Sequence, residues 1–322
     1  MKILHITNAY PTDTYGSFGI FIKEQIESLN NLGIQNDVVF INAYEKGNKE
    51  YFKYLIKLLG RYKDYDIVHC HHSYSGIIYL ITSVFNRKPL VFSNLGDINK
   101  QRRGIDRYFF NLISKRAKVV IYKNDMKLED YDKKRFYYLP NGVNTDFFKP
   151  ADKSESKKQL GLDADKKYAL FVSASGTKSR VKRYDKFLET LSLLSERGVI
   201  LEPLVMSGVE RGKVPLYFNA AEIMILTSDH EGSPNAVKEA MACDLPVVST
   251  NVGNVKKMLE GCLSSFTAES NTAEELCELA EKSMSITART ERKTIIQKKL
   301  DIKSVAKELS KIYKSILEKG KK

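Results

Sequence analysis

The sequence predicts an α/β protein made of two Rossmann-like domains, each built on an open parallel sheet. Three observations predict it. Short β-rich runs alternate with helical patterns along nearly the whole chain, the arrangement of βα units. The length, 322 residues, suffices for two such domains, each with its own core. Residues 149–157 (KPADKSESK) are polar and irregular and read as a linker between them. The expected division is a first domain over 1–148, a second over 149–300, and a final helix over 301–322.

Strands covered on both faces by helices read as short, nearly continuous apolar runs. In the first half these are Ile3–Thr7, Asp37–Ile41, Ile67–Cys70, Leu90–Ser93, Val119–Tyr122 and Phe136–Leu139. In the second half they are Ala169–Ser173, Leu201–Met206, Ile223–Thr227 and Val247–Ser249. Amphipathic helical spacing marks Phe21–Asn31, Arg107–Lys115 and Ile302–Glu318. Open sheets of this kind bind ligands beyond the C-terminal ends of their strands. Two such sheets facing each other would put those ends across one cleft.

Composition narrows the classes. Hydrophobic residues are 43% and charged residues 28%, which fits a globular chain and excludes a disordered one. The opening MKILHIT enters a strand at once, without the apolar core and cleavage site of a signal peptide, so a cytoplasmic location is expected. The longest mostly apolar stretch, Gly76–Phe85, is too short to span a bilayer. Cys70, Cys243, Cys262 and Cys277 show no metal spacing and read as reduced, buried thiols; no His/Cys zinc pattern occurs, and no metal is expected.

The net charge is +13, and it leans toward residues 1–150, which hold 23 Lys+Arg against 15 Asp+Glu. Lys53, Lys57 and Arg61 recur every four residues beside Tyr51, Tyr54, Leu55, Leu58 and Leu59, and a second basic cluster is Lys100–Arg107 (KQRRGIDR). Basic amphipathic segments suit an anionic membrane surface. The alternative is a solvated row of lysines over core leucines. No nucleic-acid-binding motif accompanies the charge, so nucleic acid is not an expected partner.

The most informative stretch is residues 230–242, HEGSPNAVKEAMA. An apolar run precedes it and PVVS follows, so it reads as strand, tight turn, helix, strand. Ser233, Pro234, Asn235, Ala236 and Val237 fall at the helix N-terminus, with Pro234 in its first turn, where unpaired N–H groups and the helix dipole favour an anion. Glu231 lies on the loop before that tip, and Glu239 about a turn and a half into the helix. Acidic groups on either side of an anion site suit recognition of the hydroxyls at both ends of a nucleotide sugar. Two surface glutamates around an ordinary turn are the plain alternative.

This stretch resembles the E-x7-E signature of family 4 of the retaining glycosyltransferases, which have the GT-B fold. Leu139–Phe148 (LPNGVNTDFF), Phe218–Ala221 and Pro246–Gly253 (PVVSTNVG) are also similar to family sequence, and the resemblance runs from Met1 to about residue 300. It implies a metal-independent hexosyltransferase that uses a nucleotide-diphosphate sugar, UDP-linked, as co-substrate and no cofactor. A glycan or lipid-linked acceptor of cell-surface polysaccharide synthesis would receive the sugar. It also implies a final helix that crosses back to the first domain.

The resemblance assigns roles by position. Glu231 would orient the sugar and Glu239 the ribose. Base contacts would come from backbone atoms in residues 206–213. In the hydroxyl-rich loop after Ala169–Ser173, which includes Ser175, Lys182 matches the lysine that neutralises the leaving diphosphate. The arginine position six residues earlier is Gly176, and Arg180 is the substitute candidate. In the first domain Gly19, and after it Gly16, match the glycine turn near the donor phosphate. Leu95 stands where the family has a histidine, leaving Asp97 as the polar candidate there. Asn141 matches the family's interdomain motif, whereas Asn144 replaces its aspartate. His69, His71 and His72 end a strand, and His71 or His72 would touch the acceptor; structural packing is the alternative. Two other functions remain open on such a scaffold, a non-catalytic glycan-binding partner subunit and a nucleotide-sugar epimerase.

Overall fold

The computed structural model describes residues 1–95, 104–123 and 133–320. The chain divides into two compact units, one of residues 1–142 with 302–322 and one of residues 143–301. The second unit therefore begins several residues before position 149. The cause is local: Val143 N–H donates to Leu300 O at 2.9 Å, and Val143 pairs with Asp301 in a parallel bridge. Phe148 then enters the core of the second unit beside Phe218.

The first unit is built on β1 (Lys2–Thr7), β2 (Gln35–Phe40), β3 (Ile67–His71), β4 (Leu90–Ser93), β5 (Val119–Tyr122) and β6 (Phe136–Tyr138). The sheet order is β2-β1-β3-β4-β5-β6, every pair parallel, with Ile3 in register with both Asn36 and Ile67. The helices are α1 (Ile20–Asn30), α2 (Ala43–Lys46), α3 (Lys49–Lys57), α4 (Ser73–Thr82) and α5 (Ile105–Arg116). Successive strand residues face opposite sides, so Leu4, Ile6, Val68 and Phe92 serve one core while Ile3, Ile67, Val91 and Val119 serve the other. Each such buried side chain contributes about 1.5–3 kcal/mol. The order reverses between β1 and β3, and the ligand crevice of such a sheet lies at that point.

The second unit holds β7 (Tyr168–Val172), β8 (Glu202–Met206), β9 (Ile223–Leu226), β10 (Val247–Ser249) and β11 (Phe266–Thr267), in the parallel order β11-β10-β9-β7-β8. Its reversal falls between β7 and β9. The helices are α6 (Lys153–Gln159), α7 (Tyr184–Glu196), α8 (Val214–Ala220), α9 (Asn235–Ala242), α10 (Val255–Leu259), α11 (Ala273–Ser285) and α12 (Glu291–Gln297).

Most of the segment read as a linker is part of α6. Asp152 caps it by accepting from Glu155 N–H at 2.7 Å, and Lys157 is buried, donating to Ala164 O and Lys166 O. A charged composition hid a helix whose lysine is used internally.

The last helix, α13 (Ile302–Lys319), belongs to the first unit. Val305, Leu309, Ile312, Tyr313 and Ile316 form its apolar stripe and share a core with Ile3, Leu29 and Ile67. Tyr313 OH also meets His69 Nδ1 at 2.6 Å.

Candidate active site

In the second unit the two loops at the sheet reversal carry the predicted charges and bring them together. Thr227, just past β9, donates to the carbonyls of Lys182 and Arg183 at 2.8 and 2.9 Å, fixing the end of the loop that follows β7. Asp229 N–H donates to Val181 O at 2.9 Å. Held this way, Lys182 Nζ donates to Glu231 Oε1 at 2.6 Å, and Ser228 Oγ donates to the same oxygen at 2.8 Å. Both charged side chains are largely buried, at 25% and 15% exposure. The pair has enough solvent access for a ligand to compete and enough burial for charge to act strongly.

Glu231 leads into α9. Pro234 sits one residue earlier than its expected first-turn place: it is the N-cap, in extended conformation, and Asn235 is the first helical residue. Its side chain makes no cap bond, so the N–H groups of the first turn are left for another acceptor. Asn235 Oδ1 is buried there without a hydrogen-bond partner. Val237 turns its side chain into the core, which leaves only its N–H to meet a donor molecule. Ala236 is half-buried against that core.

The loop before α9 depends on Gly253. Gly253 has φ +56°, and a Cβ there would lie 2.1 Å from Gly232 O. That close approach lets Asn254 N–H donate to Gly232 O at 3.1 Å and Asn254 Nδ2 to Ser233 Oγ at 3.2 Å. Gly253→Ala should displace the loop carrying Glu231 and lower any turnover that depends on this loop more than tenfold, the cost of about 1.5 kcal/mol or more of strain. Turnover and amide exchange across 230–236 check this, and wild-type values for both would contradict it.

Two residues of the site were not foreseen. Arg211 donates to Glu239 Oε1 at 3.3 Å, with the side chains 20% and 16% exposed, and its guanidinium lies 4.8 Å from the ring centroids of Phe147 and Phe148. Each glutamate of the motif is thus paired with a cation, Glu231 with Lys182 and Glu239 with Arg211. Lys238 is fully buried, and its Nζ donates to Ser233 Oγ at 3.3 Å. Burial pushes its ammonium down to about 7, against the pull of Glu239. A lysine beside a glutamate on a helix reads as surface charge, and nothing in the local sequence marks it as interior.

In the loop after β7, a glycine stands where the resemblance places an arginine. Gly176 has φ +61°, a conformation that strains any side chain. Arg180 is exposed and makes no ion pair among the described residues, and Ser175 is exposed at the start of a short turn.

In the first unit, Gly19 has φ +70°, and a Cβ there would meet Ala9 C, Ala9 O and Tyr10 N at 2.3–2.6 Å. Its lack of a side chain lets the start of α1 close onto the segment leaving β1. Gly16 is under no comparable constraint, with only Thr12 O at 4.0 Å. Asn144 Oδ1 accepts from Asp146 and Phe147 N–H at 3.1 and 3.2 Å. An aspartate would do the same. Asn141 is buried. Asp97, Arg102 and Arg103 lie outside the described residues.

The histidines separate by environment. His71, an expected acceptor contact, is instead interior: it is 1% exposed and its Nε2 lies 3.0 Å from His5 Nδ1. His5 Nε2 bonds Asn36 Oδ1, and His69 bonds Tyr313 OH and Ser93 Oγ. His5, His69 and His71 offer ring nitrogens within 4.8 Å of one another, a set that could hold a metal. Both ring nitrogens of His5 and of His69 are engaged by the chain's own groups, as is Nε2 of His71, and burial holds all three well below the usual imidazole range. They form a neutral packed layer. His72 differs. It stands at the sheet reversal with φ +82°, stacks on Tyr74, and keeps a buried Nδ1 without a partner. Strain of this kind collects at functional positions.

Residues 189–284 match the family described as glycosyl transferases group 1. The chain carries a glycosyltransferase group 1 domain. It is 25% identical to a teichuronic acid biosynthesis glycosyltransferase of Bacillus subtilis, over 80% of this chain and 83% of that protein. It is 28% identical to a lipopolysaccharide core biosynthesis mannosyltransferase of Rhizobium meliloti over 38% of this chain and 42% of the other. Among solved structures it is similar to sucrose-phosphate synthase of Thermosynechococcus elongatus, with TM-score 0.77 and 14% identity over 98% and 99% of the two chains. It is also similar to the HepE protein of Anabaena in complex with UDP-glucose, with TM-score 0.73 and 16% identity over 98% and 100%. The fold is that of GT-B glycosyltransferases, and the chain is a glycosyltransferase.

Proposed function

We propose that this protein is a retaining, metal-independent family 4 glycosyltransferase that moves a hexosyl unit from a UDP-linked sugar to a glycan or lipid-linked acceptor. The observation that carries the reading is the convergence of Lys182, Glu231 and the free N-terminus of α9 at the reversal of the second sheet. Cation and helix tip together suit a diphosphate. Glu231 and Glu239 then accept from hydroxyls of the sugar and the ribose. The UDP-glucose held by the Anabaena neighbour, and the cell-surface glycans named for the Bacillus and Rhizobium relatives, support the substrate classes.

In the reaction, the bond between the anomeric carbon and the diphosphate oxygen breaks, and the acceptor hydroxyl attacks from the same face. The departing phosphate oxygen takes the acceptor's proton, so no protein base is needed. Lys182 and the first-turn N–H groups of α9 stabilise the charge that develops on the diphosphate. Within the second unit, Ser175 and Arg180 are further candidate donor contacts, and within the first unit Gly16, Gly19, Asn141 and His72 are the candidate ligand contacts.

The test is turnover of UDP-, GDP- and ADP-sugars with an oligosaccharide or polyprenyl-linked acceptor, with and without EDTA. UDP-sugar consumption that requires acceptor, survives EDTA and retains the anomeric configuration is the expected result. Loss of activity in EDTA with recovery on adding magnesium or manganese would contradict the metal-free mechanism. An isomeric nucleotide sugar formed without acceptor would identify an epimerase.

A further inference from the structure

On the first unit, α3 turns a row of large apolar side chains outward. Phe52 and Ile56 are 71% and 82% exposed, and their spacing of four residues puts them on one helical face; Leu59, just past the end of α3, is 53% exposed. Gly60 N–H donates to Thr82 O at 3.3 Å, joining the end of α3 to the end of α4. There Ile81, Val84 and Phe85 are exposed as well, Phe85 at 83%. Single exposed apolar residues are ordinary, but six on two joined elements are not.

The border of this patch is cationic. Residues 44–63 contain Lys46, Lys49, Lys53, Lys57, Arg61 and Lys63 against only Glu45 and Glu50, and Arg87 and Lys88 follow Phe85. Glu50 is buried beside Lys53, which leaves Glu45, held by Thr12 and Asn42, as the one exposed acidic side chain of that span. No helix among the described residues is long and apolar enough to cross a membrane. The opposite face of α3 reaches the sheet reversal: Tyr51 OH accepts from Asn8 Nδ2 at 3.4 Å, and the Tyr51 ring lies 5.5 Å from Tyr74, which stacks on His72.

We propose that this face of α3, with the end of α4, is an interfacial docking surface for an anionic phospholipid bilayer. Phe52, Ile56 and Phe85 enter the headgroup–acyl boundary, and the surrounding lysines and arginines meet acidic headgroups. A protein partner would match the apolar row as well, but the charge complement, on a chain of net +13, favours acidic lipid. The surface places an acceptor carried by lipid beside His72. It extends the lipid-linked branch of the proposed function, and its test does not depend on turnover.

The test is cosedimentation with vesicles of phosphatidylglycerol mixed with phosphatidylcholine, and with phosphatidylcholine alone. The chain has no tryptophan, so Phe52→Trp supplies a single emission probe. Wild type should pellet only with the acidic vesicles, salt should weaken the binding, and the Phe52→Trp emission should shift to the blue. Combined Phe52→Ser, Ile56→Ser and Phe85→Ser should weaken partitioning about tenfold or more, as should combined Lys49→Glu and Lys57→Glu, which spare the Lys53–Glu50 pair, with unchanged melting temperature and unchanged UDP binding. Equal pelleting of wild type and both variants, or no pelleting with acidic vesicles, would overturn the proposal. A wild-type dimer made monomeric by the serine variant, without vesicle binding, would make the patch a self-association surface and also overturn it. Lost turnover with intact vesicle binding would count against the proposed function and leave the docking surface standing.

Discussion

Lys182→Ala should lower turnover of the nucleotide sugar by about two to three orders of magnitude, the cost of removing one preorganised group that stabilises developing charge, about 2.7–4 kcal/mol. The effect on folding should be smaller. Lys182 is a quarter exposed and paired with a single carboxylate, and losing a hydrogen bond to a charged group costs about 1.5–3 kcal/mol. Glu231 keeps its bond from Ser228 after the substitution, so the loop retains an anchor. Lys182→Arg should recover part of the rate, because the charge persists but its fork cannot reproduce the ammonium's position. Single-turnover rates and melting temperatures of the two variants decide between a catalytic and a structural lysine. A rate loss that merely followed the loss of stability would make Lys182 a loop brace.

Acidification should destabilise the first unit steeply, through His5, His69 and His71. Burial pushes His5 down to about 4, outweighing the Asn36 bond that raises it. Burial lowers His69 and His71 further below the ordinary value, aided by neighbouring imidazoles and by Lys123. The folded state therefore holds all three neutral, while the unfolded chain takes up protons near pH ~6.5. Their stability contribution is complete above about pH 6.5 and is lost as pH falls from there toward the folded values. Each proton gives a slope of about 1.4 kcal/mol per pH unit, so three together remove about 4 kcal/mol by about pH 5.5. Amide exchange in β1 and β3 at pH 7.5 and 5.5, corrected for intrinsic rates, should show the loss. His5→Gln should cut its slope by about one third. A pH-independent opening free energy, or parallel slopes in wild type and variant, would show that the layer accepts protons when folded.

The strands were legible because buried parallel strands need unbroken apolar runs, as at Leu90–Ser93 and Val119–Tyr122. What escaped depended on distance or burial. The two residues of β11 are too few to show a pattern, and α6 was hidden by lysines that fold back on their own segment. The two glutamates stood out by spacing, and Lys182 by its loop. Arg211 meets Glu239 across 28 positions of sequence, and no local signal links them. His71 and His72 are adjacent in sequence, yet the end of β3 sends one into the interior layer and leaves the other at the sheet reversal. Strand alternation already sends His71 and His72 to opposite sides, whereas the positive φ of His72 is not written in the sequence.

The loop before α9, together with Glu239, is the proposed nucleotide-sugar site of the chain. Calorimetric titration of UDP into wild type and Glu239→Ala, both in EDTA, tests it most directly. Wild type should bind UDP without a divalent metal. The variant should bind it about tenfold to a hundredfold more weakly, the loss of hydrogen bonds to a charged group worth about 1.5–3 kcal/mol. Equal affinity in the two proteins, or no binding of UDP, GDP or ADP to wild type, would contradict it.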